Sequence, residues 1–117
     1  MIKLTGRIPS KKNSKIMSCR GARPLLFPSS KYTAWHKDAS LQLKEQKAEK
    51  FPERGGIALN LLMPDNRKCD LTNKAESVMD LLVDNGLLED DCWQITGMVA
   101  LTCEGIDKEN PRVEITW

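Results

Sequence analysis

The sequence predicts a single α+β domain over residues 1–117, a small mixed β-sheet with two helices packed on it, in the order strand, helix, strand, helix, strand, strand. Three observations predict it. Apolar and polar residues alternate near both ends and around residue 60, which is the period of half-buried strands. Between those runs lie two stretches whose apolar residues recur at helical spacing. The 117 residues contain no internal repeat, linker or low-complexity segment, enough chain for one core but not for two independent ones.

The first strand is carried by Ile2, Leu4 and Ile8 alternating with Lys3, Thr5 and Arg7, and Pro9 ends it. Lys11, Lys12, Asn13, Lys15, Arg20 and Arg23 then fall in a stretch that also holds Gly21, Pro24 and Pro28 and keeps no period, so it reads as a long loop. Structureless loops of about 15 residues are uncommon inside small domains and are usually functional or disordered. Lys and Arg with small polar residues suit a phosphate backbone, and a merely solvated loop is the competing reading.

Ser29 or Ser30 is the expected N-cap of the first helix, with Tyr32, Trp35, Ala39 and Leu43 on one face. Tyr32 and Trp35 are expected in the core, and His36, with no visible catalytic partner, on the surface or in packing. Phe51 to Gly56 breaks the helix. Ile57, Leu59, Leu61 and Met63 then give a strand apolar enough to be central.

After a basic turn, Leu71, Ala75, Val78, Met79 and Leu82 form the apolar stripe of the second helix. Asn73, Glu76, Ser77, Asp80 and Asp84 are left on its outer face. Asn85-Gly86 is the stop signal. A strand-like run begins at Trp93, with Gly97 a candidate bulge. It pairs as a hairpin with the last strand, Val113, Ile115 and Trp117.

Charged residues at 29% and hydrophobic residues at 40% are ordinary for a globular domain. No apolar run approaches the ~20 residues needed to span a bilayer, and no signal-peptide pattern opens the chain, so the cytoplasm is the expected compartment. The net charge of +2 conceals segregation: residues 1–50 hold twelve basic and three acidic side chains, residues 51–117 six and thirteen. One half is suited to a polyanion and the other to cations, although two differently charged surface helices give the same totals. Cys19, Cys69, Cys92 and Cys103 match no zinc-ligand spacing and read as reduced thiols, with Cys103 expected to face the core.

The chemistry concentrates between Met63 and Asp91. Asp70, Glu76, Asp90 and Asp91 offer the hard oxygen donors that Mg²⁺ selects, and a bound ion allows phosphodiester hydrolysis with no histidine or protein nucleophile. Each has a plainer role open to it: Asp70 as a helix N-cap, Glu89-Asp90-Asp91 as a solvated acidic turn. Arg67, Lys68 and Lys74 flank the acids and can hold phosphate or sit in solvent. Asp65, at the start of the turn, is a supporting group.

The run Met63-Pro64-Asp65, basic residues, Asp70-Leu71-x-Asn73, an apolar helix, Gly86 and the Asp90-Asp91 pair resembles the RusA family of Holliday-junction resolvases, including its phage and prophage branch. Looser similarities are Pro9-Ser10-Lys11-Lys12-Asn13-Ser14 and Ser30-x-Tyr32-x-x-Trp35. The resemblance implies a homodimer that cleaves branched DNA, with Asp70 and Asp91 binding the catalytic Mg²⁺, or Mn²⁺ in its place. The chain departs from the best-known members at Thr72, where they carry a second Asp, and at Glu76, where they carry Lys. Positions 72 and 76 lie one turn apart on one helix face, so Glu76 can lean back over Thr72 and stand in for the missing acid. The expected function is a Mg²⁺-dependent endodeoxyribonuclease. The alternatives are a non-catalytic junction-binding protein and a phage accessory protein whose acidic face binds another protein.

Overall fold

The computed structural model describes residues 1–10, 15–20, 23–28 and 30–117, with the backbone alone for 15–20 and 23–28. Its elements are β1 (Ile2–Thr5), β2 (Lys15–Arg20), β3 (Arg23–Pro28), α1 (Ser30–Glu45), β4 (Ile57–Met63), α2 (Leu71–Asp84), α3 (Trp93–Thr96), β5 (Val99–Ile106) and β6 (Arg112–Thr116). A mixed four-stranded sheet runs β1-β6-β4-β5, and β2 and β3 form a separate two-stranded sheet.

Alternation carries the sheet as expected. Ile57, Leu59 and Leu61 of β4 turn to the helix-bearing face together with Ile2, Leu4, Val113 and Ile115, and all are buried. There they meet Tyr32, Trp35, Ala39 and Leu43 of α1 and Ala75, Val78, Met79 and Leu82 of α2. Leu59, Leu61 and Leu82 are at most 1% exposed, and truncating any one to Ala costs roughly 2–5 kcal/mol.

Three expectations are corrected. Lys15–Arg20 and Arg23–Pro28 are paired antiparallel strands rather than a continuous loop, in the register Lys15↔Pro28 to Arg20↔Arg23. Cross-strand backbone bonds need no apolar alternation, and a two-stranded ribbon has only edge strands, where proline is tolerated. The last two strands do not form a hairpin. β4 lies between them, parallel to β5 and antiparallel to β6, because α2 makes the long crossover that parallel neighbours require. Trp93–Thr96 is one helical turn, closed by Gly97 at φ +74°, and the strand starts at Val99.

The two sheet edges differ. On β1, Gln46 accepts from the Lys3 N–H at 2.9 Å and donates to its carbonyl at 2.7 Å, while Gln42 accepts from the Thr5 N–H at 2.8 Å. Gln42 of α1 and Gln46 just past its end thus satisfy that edge with side chains. The opposite edge, β5, keeps Val99, Cys103 and Ile106 exposed. Cys103 pairs with Leu61 and shares its face, yet it is not in the core as expected, because it stands on the outermost strand near its open end.

Candidate active site

The β4–α2–β5 crossover carries the chain from the end of a central strand through the turn 64–70 into a helix, and Asp70 stands at that junction. Its backbone is extended (φ −89°, ψ 116°), and its Oδ1 accepts from the Thr72 N–H at 3.2 Å and from the Thr72 hydroxyl at 2.7 Å. The capping role is therefore realised. The side chain stays exposed.

Asp65 holds the turn in shape. Its Oδ1 accepts the Arg67 N–H at 3.0 Å, and its other oxygen pairs with Arg7 and lies 3.6 Å from Arg67 Nε. The Arg67 N–H and then the Arg7 guanidinium hold its carboxyl below the usual range, against some opposing desolvation. Arg67 and Lys68 remain exposed, as a phosphate-contacting role needs.

Lys74 is a correction. Expected on the surface, it is 9% exposed, and its ammonium donates to the Ile8 carbonyl beside Arg7, Asp65 and Cys69. Burial pushes its pKa down, with Arg7 adding to that shift and Cys69 and Asp65 opposing it. Ser77, also expected outside, is fully buried and donates to the Pro9 carbonyl at 2.6 Å. Together they fasten α2 to the strand end that leads into the basic segment. The apolar stripe alone did not reveal this, because the carbonyls they satisfy lie 66 and 68 residues away in sequence.

The remaining acids spread along α2. Glu76 is exposed on its second turn. Asp90 and Asp91 lie exposed in the bend before α3, where the Asp91 N–H bonds back to Asp90 Oδ1 at 2.8 Å. The Asp91 carboxyl is pushed up by partial burial, then by Asp90, then by Asp80 of α2. Asp80 is thus a member of the acidic surface that the candidate set left out. The signal was present, since it follows Glu76 by four residues on the same helix face. Along the axis it stands about 15 Å from Asp70.

Among the described residues, no three His, Cys, Asp or Glu side chains gather into a ready cation cage. The donor chemistry still fits a hard divalent ion. Asp91 is crowded by two like charges whose repulsion a cation relieves, and Mg²⁺ needs as few as one or two carboxylates when water and phosphate complete its octahedron. Lys11, Lys12 and Asn13 lie outside the described residues, and Lys15, Arg20 and Arg23 are placed on β2 and β3 by backbone only. His36 has its Nε2 2.9 Å from Asp84 Oδ2, tying α1 to α2 as a packing residue does.

No described helix is long and apolar enough to cross a membrane. A search of curated proteins finds no match. The family model of the endodeoxyribonuclease RusA matches residues 6–116, a span that contains the turn, α2 and every acid discussed above; the chain belongs to the RusA family of endodeoxyribonucleases, which resolve Holliday junctions.

Proposed function

We propose that the protein is a Mg²⁺-dependent, structure-selective endonuclease of the family's phage and prophage branch, hydrolysing phosphodiesters in branched DNA as a cytoplasmic homodimer. The observation that carries this reading is the family match over nearly the whole chain, residues 6–116, with Asp70 and Asp91 inside it. Asp70 and Asp91 would hold the ion, with Glu76 and Asp90 as further oxygen donors and Mn²⁺ as an alternative occupant. Bound there, the metal supplies a Lewis acid for the scissile phosphate and a water of lowered pKa.

The chain's own side chains do the rest. Arg67 and Lys68, exposed next to Asp70, neutralise phosphate on the incoming strand. Lys11, Lys12, Asn13, Lys15, Arg20 and Arg23 extend that contact along the backbone. Asp65, clamped by Arg7, holds the turn that presents Asp70. A homodimer supplies two matching sites to the two equivalent strands of a junction.

The test is cleavage of a synthetic four-way junction beside a linear duplex of the same sequence, with Mg²⁺ and with EDTA. Junction-selective, Mg²⁺-dependent nicking is the expected result, and none at any metal concentration refutes it. One observation favours a second reading: Thr72 replaces an acid, and its hydroxyl is engaged with Asp70. A protein that binds the junction but never cuts it would be that non-catalytic member.

A further inference from the structure

Beside Asp70 the helix-bearing face of the sheet is not closed. A groove of about 480 Å³ runs between the turn 64–70 and the end of β5. This lies within the ~300–1,000 Å³ of clefts that take small organic groups. Its floor is apolar: Met63 and Leu71 are half-buried and backed by the core. Its far wall is Cys103 and Ile106, and Ile106 is 48% exposed.

A register shift after Leu61 brings these two residues onto one face. Leu61 pairs with Cys103, but Leu62 pairs with Gly105 and Met63 with Ile106, so one residue is looped out and Ile106 joins Cys103 on the groove side. Gly105, at φ +135°, also lines the groove.

The rim is basic. Arg67 and Lys68 line it, and the one acid beside them, Asp65, is already paired with Arg7 behind the groove. An apolar slot under a cationic rim complements a group with a flat apolar body and an attached anion.

We propose that this groove receives an unstacked nucleobase of the DNA substrate, with Arg67 and Lys68 on its phosphate. The inference rests on the nuclease reading above and adds a subsite to it. In the opened form of a four-way junction the pairs at the crossover are stacked on one side only, so extruding one of their bases costs less there than within a duplex. Selectivity for branched DNA then has a local cause, since a base held in a continuous stack cannot enter the groove. Asn66 lines the same groove, and an asparagine amide carries both a donor and an acceptor for a base edge.

The experiment uses four-way junctions carrying 2-aminopurine, whose emission is quenched by stacking, at each crossover nucleotide in turn. Fluorescence is read at saturating protein with Ca²⁺ in place of Mg²⁺, so that neither cleavage nor a change in affinity enters the signal. The expected result is a rise of about threefold or more at one position with the wild type. Cys103→Phe, which fills the groove, should return that emission to the level of free junction, whereas Cys103→Ser should keep the rise. Circular dichroism and thermal unfolding of both variants establish that they are folded. A wild-type complex with no rise, or a rise that folded Cys103→Phe retains, overturns the subsite and leaves the nuclease reading standing. Failure of the wild type to bind the junction at all overturns both.

Discussion

Asp70 has two roles that one pair of substitutions separates. As the N-cap of α2 it accepts from the Thr72 N–H and hydroxyl, and as a carboxylate it is the proposed metal ligand. Asparagine caps about as well as aspartate, because its carbonyl oxygen accepts the same bonds, whereas alanine loses about 1 kcal/mol. Unfolding entropy of about 2.1 cal/mol/K per residue over 117 residues converts 1 kcal/mol into a shift of about 4 °C in Tm. Asp70→Asn should therefore unfold within about 1 °C of the wild type, and Asp70→Ala about 4 °C lower. Both should lose junction cleavage by about 10²-fold or more while binding the junction as well or better, since the negative charge is gone and the basic contacts remain. Differential scanning fluorimetry and a gel cleavage assay measure the two roles separately. Wild-type cleavage by Asp70→Asn refutes ligation, and a wild-type Tm for Asp70→Ala refutes the cap.

Glu76→Gln should lose cleavage and weaken Mn²⁺ binding measured by calorimetry, and Thr72→Asp combined with Glu76→Lys should restore both; a fully active Glu76→Gln enzyme ends the relocated-ligand idea. Ser77→Ala should destabilise by roughly 0.5–1.5 kcal/mol in urea titrations, because it removes the hydroxyl that donates to the carbonyl of half-buried Pro9, and an unchanged midpoint would show that the bond contributes nothing. Asp107 has its carboxyl held below the usual range, first by the Arg112 guanidinium. Its stabilising contribution is fully present above the unfolded value of about 3.9 and is lost as pH falls through the folded value. Arg112→Gln should thus lower stability at pH 7 and flatten the dependence of stability on pH below about 4, and an acid limb identical to the wild type's would refute it.

Much of this protein is written locally. The stripe Ala75, Val78, Met79 and Leu82 and the cap at Asp70 determine α2, and the alternation of Ile57, Leu59 and Leu61 determines β4 as a central strand, because helical and strand periods act between near neighbours. The same is true of the spacing from Asp70 to Asp91, which carries the family resemblance. Pairing is another matter. That β6 lies beside β4 rather than β5, and that Lys15–Arg20 meets Arg23–Pro28, depends on which backbone donors find which acceptors once the crossover closes. Lys74 and Ser77 read as surface residues until the carbonyls of Ile8 and Pro9 arrive beneath them. Cys103 read as core until β5 proved to be an edge. Asp80 shares a helix face with Glu76 in the sequence pattern, but its approach to Asp91 depends on the bend after α2. Periodicity tells which face of an element is apolar, whereas burial, electrostatic neighbours and open grooves are properties of what packs against that face, and only the assembled fold supplies those partners.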